Sequence, residues 1–109
     1  MAGFIKGDVV IIPFPFSNLS ASKRRPALVL ADLPGDDIIL CQITSQQTKD
    51  IFAVPLLTTD LISGYLPIDS YIRPTCIFTA DKSIIIRQAG KVNNNIIYKV
   101  VTQIISLIR

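Results

Sequence analysis

The 109-residue chain contains no histidine, no glutamate and no tryptophan, and only two cysteines. Without histidine there is no imidazole base, no His-paired serine or cysteine nucleophile and no histidine-ligated metal. Cys41 and Cys76 lie in apolar surroundings with no CxxC spacing, which leaves no zinc set. Both read as reduced thiols in or near strands, as expected for a cytoplasmic protein. The acids are all aspartates, scattered along the chain, and no local spacing pairs two of them for acid–base work. Neither a GxxxxGK[ST] phosphate loop nor a GxGxxG fingerprint occurs. Long apolar runs are missing too: nothing approaches the roughly 18 residues of a membrane span. Asp8 and Pro13 interrupt any signal-like segment near the N terminus. These absences predict no metal, no cofactor and no membrane.

What is present is half hydrophobic and 17% charged, with a net charge of +3. That composition belongs to a single globular domain spanning residues 1–109, with a mild lean toward anionic partners. Strand signals dominate. "DVVIIPF" (8–14) is β-branched and bounded by prolines. "PALVLA" (26–31) is a short apolar run, and "LPGDD" (33–37) is a turn that returns "DIILCQIT" (37–44) beside it as a hairpin. "IFAVPLL" (51–57), "SYIRPTCIF" (70–78) and "KSIIIRQAGKV" (82–92) supply further strands.

The period changes at the C terminus. Ile96, Val100 and Ile104 recur every four residues, as do Ile97, Val101 and Ile105, and Ile108 continues the first row. Two adjacent rows at that spacing predict a helix with one apolar face, capped by one of Asn93 to Asn95 and ending near the basic Arg109. Five or six short strands with one terminal helix imply a mainly β fold: a small, strongly curved sheet or barrel closed by the helix.

The one dense charge feature is "SASKRRPALVL" (20–30), where Lys23, Arg24 and Arg25 stand side by side at the mouth of an apolar strand. A guanidinium fork suits a phosphoryl group, because it holds two oxygens at once. Pro26 forces Arg25 into an extended conformation. RNA cleavage asks little of a protein, since the 2′-OH beside each phosphate is a built-in nucleophile. On composition alone an ordinary solvated cation is the favoured reading of Arg25. If 26–31 and 37–44 form a hairpin, Thr44 emerges near Arg25, followed by the polar Ser45, Gln46, Gln47 and Thr48. Those can contact phosphates and base edges, or form a plain soluble loop.

The block "GDVVIIPFPFSNLSASKRRPALVL" (7–30) strongly resembles the opening of the MazF/PemK toxin family, with its Gly-Asp pair, apolar strand, variable loop and Arg-Pro-x-x-Val-Leu. "CQITSQQ", "LPIDSYIRPTCIFT" and "GKV" before the helix continue the likeness in order. The resemblance implies an SH3-like, plasmid-toxin type barrel, a homodimer, a sequence-specific endoribonuclease acting on single-stranded mRNA, and a cognate antitoxin. It places the catalytic roles on Arg25 and Thr44. Lys23, Arg24, Ser20, Ser22, Ser45, Gln46 and Arg73 become RNA-contact candidates, with exposed cation an equal reading of Arg73. Two rivals remain: a non-nuclease poison of a protein target such as gyrase, as in the CcdB toxins of the same barrel type, and a decayed homologue that only binds RNA or antitoxin.

Overall fold

The computed structural model describes residues 3–14, 23–47 and 49–109. Among these residues seven strands form one sheet in which every neighbouring pair is antiparallel. They are β1 (Asp8–Phe14), β2 (Lys23–Asp32), β3 (Asp37–Thr44), β4 (Val54–Leu56), β5 (Leu61–Gly64), β6 (Ser70–Asp81) and β7 (Arg87–Val92), followed by helix α1 (Asn94–Ile108). Their spatial order is β4-β6-β3-β2-β1-β7-β5. The sheet curls into a half-barrel with the short strands β4 and β5 at its edges. Pro55 in β4 lacks a donor and helps keep that edge from recruiting further strands.

Both faces of the central strands are buried, which explains why β1 to β3 read as nearly continuous apolar runs. One cluster holds Val9, Leu28, Cys41, Ile43 and Ile72 against Ile96 and Val100 of the helix. The other holds Val10, Ile12, Ala27, Val29, Ile38 and Leu40, covered by Phe4, Ile84 and Ile85. Side chains alternate between these clusters along each strand, as the two-residue period of a pleated strand requires.

Two glycines are dictated by geometry. Gly35 takes φ +82° in the β2–β3 turn, where the Leu33 N–H reaches the Asp37 carbonyl at 3.3 Å. Gly64, at φ +77°, lies so close to β7 that a Cβ would fall 2.1 Å from the Ala89 carbonyl oxygen. Any side chain there would push β5 off the sheet.

At the helix start the Asn93 side chain accepts from the Ile96 N–H at 3.0 Å, a cap worth about 1 kcal/mol. Ile96 and Val100 are buried, with Ile97 and Ile104 packed on the same cluster. The apolar rows do not stay covered to the end: Ile105 is 45% and Ile108 79% exposed.

Other boundaries differ from the sequence expectation. Residues 51–57 keep only the three-residue β4, because Asp50 draws the preceding backbone into a turn by accepting from Phe52 N–H at 2.9 Å. The run 82–92 is broken by a 3-10 turn at Lys82–Ile84, where Asp81 caps the Ser83 N–H at 2.8 Å. β5 was not expected at all. β2 begins three residues early, because pairing of Lys23, Arg24 and Arg25 with Phe14, Pro13 and Ile12 extends it. The cation run is therefore part of the strand. Among the described residues no helix is long and apolar enough to cross a membrane.

Candidate nucleic-acid interface

Arg25 owes its position to two neighbours. It pairs with Ile12 of β1, and the next step, Pro26 opposite Ile11, anchors the strand against the core. On its other side β2 pairs with β3 through Ala27 opposite Gln42 and Leu28 opposite Cys41. Continuing that register by two residues sets Arg25 opposite Thr44. The faces agree. Ala27 and Val29 share a cluster with Ile38 and Leu40, whereas Leu28 shares the other with Cys41 and Ile43. Arg25 and Thr44 therefore alternate onto the same face, where opposed Cβ atoms in such ladders stand about 5 Å apart.

Thr44 is half-buried at the end of β3, and its hydroxyl accepts from the Gln46 N–H at 3.2 Å. That bond folds the following turn back over the strand end. No described residue accepts the hydroxyl proton, which leaves it able to donate to a ligand.

A cleft of about 520 Å³ opens at this end of the sheet. Lys23, Arg24, Arg25 and Arg87 line it together with Ser45, Gln46, Ile11, Pro26 and Ile43. No carboxylate is among its lining residues. None of the four cations forms an ion pair with another described residue. Thr44 itself adjoins this cleft through Ser45 without lining it.

Arg87 is the site residue that sequence reasoning missed. Ile11 pairs with both Pro26 and Arg87, so β7 brings a fourth cation to the far side of β1 from the β2 run. Only the β1–β7 register reveals it.

Arg73 is the candidate that the structure does not bring to the cleft. Its Nε lies 3.4 Å from Asp50 Oδ2 and its Nη1 donates to Gln42 Oε1 at 3.4 Å. The Thr75 hydroxyl also donates to Asp50, and this bond is the largest influence holding that carboxyl below its usual range. Arg73 thus braces the bulged stretch of β6 opposite Cys41 and Gln42. Ser20 and Ser22 lie outside the described residues.

The cysteines take no part in the site. Cys41 is buried, and burial pushes its thiol up to about 12, which makes it inert as a nucleophile near neutral pH. Among the described residues no group of three or more Cys, Asp, Glu or His could hold a metal ion.

Residues 5–108 match the family described as PemK-like, MazF-like toxin of type II toxin–antitoxin systems. The chain belongs to that family. No curated protein matches it in sequence. Solved structures share the fold. A MazE–MazF complex from Deinococcus radiodurans superposes with a TM-score of 0.76 at 22% identity, covering 95% of this chain and 94% of that one. An endoribonuclease from a mycobacterial species, in complex with its cognate antitoxin, gives 0.75 at 16% identity, with 95% and 93% covered. The Mycobacterium tuberculosis toxin MazF-mt6 gives 0.69 at 19%, with 89% and 91% covered. The MazF-like fold expected from the sequence is thus the one observed, with seven strands in place of five or six.

Proposed function

We propose that this toxin-family protein is a sequence-specific endoribonuclease that cuts single-stranded mRNA in the cytoplasm without a metal. The observation that supports it most is a cleft lined by Lys23, Arg24, Arg25 and Arg87, none ion-paired to a described residue, at the strand ends where the β2–β3 register, continued two residues past Ala27–Gln42, brings Arg25 opposite Thr44.

In this reaction the RNA's own 2′-oxygen attacks the adjacent phosphorus and gives up its proton to solvent water. A 2′-O–P bond forms while the P–O5′ bond breaks, and the departing 5′-oxygen takes a proton. The products are a 2′,3′-cyclic phosphate and a 5′-OH. Arg25 stabilises the doubly negative phosphorane through its guanidinium fork and stands ready to protonate the leaving oxygen. Thr44 is too weak an acid or base to drive the transfer alone. Its free hydroxyl proton orients a phosphoryl oxygen toward Arg25. Lys23, Arg24 and Arg87 hold flanking phosphates, and Ser45 and Gln46 offer hydrogen bonds to the strand.

The partners follow from the same reading. A cognate antitoxin blocks the cleft, in keeping with the antitoxin bound to the mycobacterial endoribonuclease. The toxin pairs with a second copy of itself, a reading supported by the exposed apolar side chains of Ile62, Tyr65 and Ile68. Light scattering is expected to give twice the chain mass; the mass of one chain would refute the pairing.

Digestion of a long RNA by the purified protein in EDTA, with mapping of new ends, tests the activity. Cuts ending in cyclic phosphate and 5′-OH, absent with Arg25→Ala, are expected. Salt-sensitive binding without cuts would identify a decayed homologue. Growth arrest that survives Arg25→Ala with no RNA cut would identify a poison of a protein target.

A further inference from the structure

A second cleft of about 390 Å³ lies across the end of β3 from the basic one and shares Ser45 and Ser70 with it. Gln47, Asp69 and Tyr71 also line it. Tyr71 is the register partner of Thr44 on β6, so this cleft borders the Arg25–Thr44 pair on its other flank.

Asp69 supplies the one carboxylate among the residues lining the two clefts. Its Oδ1 accepts from the Thr58 N–H at 2.8 Å. It forms no ion pair with a described residue, and Oδ2 has no hydrogen-bond partner among them. An uncompensated negative charge beside a track for phosphates repels the ligand, unless it accepts from a neutral donor.

Nucleobase edges provide such donors, and a carboxylate can only accept. Guanine alone presents two adjacent donors, N1–H and N2–H, on its Watson–Crick edge. Adenine and cytosine set a ring-nitrogen acceptor beside their amino group, and uracil flanks its N3–H with two carbonyls. Each of these three brings an acceptor against the carboxylate. Oδ1 keeps a lone pair beyond its bond to Thr58, so both oxygens are available to guanine. The Gln47 amide can donate to the neighbouring O6, and the Tyr71 ring offers a stacking surface for an unpaired base.

We infer that this cleft is a guanine-selecting subsite next to the scissile phosphate, with Asp69 the specificity-determining residue and Tyr71 the stacking platform. The inference rests on the nuclease reading and adds a base preference to it.

The test is cleavage of a random-sequence RNA library by the wild type, Asp69→Asn and Tyr71→Leu, with sequencing around the cuts. The wild type is expected to favour guanine about tenfold or more at one fixed position, the discrimination a good bidentate base contact supplies. Asp69→Asn keeps an acceptor for the Thr58 N–H but sets an amide where guanine needs an oxygen. It loses the guanine preference while the other preferred positions stay. Tyr71→Leu slows all sites alike. An unchanged preference in Asp69→Asn, or a wild-type preference without guanine, overturns the subsite and leaves the nuclease standing. A wild type that cuts no RNA overturns both.

Discussion

Cations sit at both ends of the β2–β3 hairpin, one of them brought to the turn by the 3-10 segment after β6, and the two ends treat them in opposite ways. At the turn, Lys82 is fully engaged: its Nζ lies 2.8 Å from Asp32 Oδ1 and donates to the carbonyls of Leu33 at 3.0 Å and Gly35 at 2.8 Å. At the open end Lys23, Arg24 and Arg25, joined by Arg87 of β7, line one cleft with no carboxylate among them. The first arrangement gives charge a structural partner. The second keeps like charges together at a cost, which folding alone would not select. Three of the eight aspartates, Asp8, Asp32 and Asp50, form ion pairs with other cations, and no described aspartate pairs with these four, as the proposed role in holding an anionic ligand requires.

That contrast can be broken experimentally. Replacing Arg24 and Arg87 together by alanine strikes only the open end. RNA affinity should fall about 10- to 100-fold near physiological salt. The slope of log affinity against log salt should flatten by roughly 0.7 for each single-strand phosphate left without its arginine. Filter binding over a salt series measures both, and an unchanged slope would show that these arginines do not meet the backbone. A smaller effect is expected from Lys82→Ala at the turn. Removing one partly exposed ion pair and two hydrogen bonds to carbonyls should cost about 1 kcal/mol of stability, read by urea denaturation, with RNA cleavage per folded molecule unchanged. Abolished cleavage with unchanged stability would erase the distinction between the two ends.

How much of this was legible in the sequence depended on how local the cause was. β1 and β3 could be bounded from their β-branched runs and flanking turn residues, and the helix from its four-residue spacing with a cap among Asn93 to Asn95, of which the structure uses Asn93. β5 was not legible, because "LISG" is short and largely exposed, and it is a strand only because β7 lies beside it. The same holds within the site. The proposed Arg25–Thr44 juxtaposition rests on hairpin arithmetic around a single turn, continued past the last pair, Ala27–Gln42. Arg87 and Tyr71 reach the site through the β1–β7 and β3–β6 registers, which join distant parts of the chain and leave no local signal. Arg73 shows the converse: its sequence context suits a surface cation, yet Asp50 and Gln42 claim it.

The central claim is that Arg25 and Thr44 act on one and the same phosphate. Single-turnover cleavage of one defined RNA by Arg25→Ala, Thr44→Ala and the double variant tests it most directly. Each single change should slow cleavage about 10²- to 10³-fold, as loss of a transition-state donor does. The double variant should fall no more than a few-fold below the slower single one, because groups that serve one transition state do not lose independently. Wild-type cleavage by either single variant, or losses that multiply in full, would contradict the account.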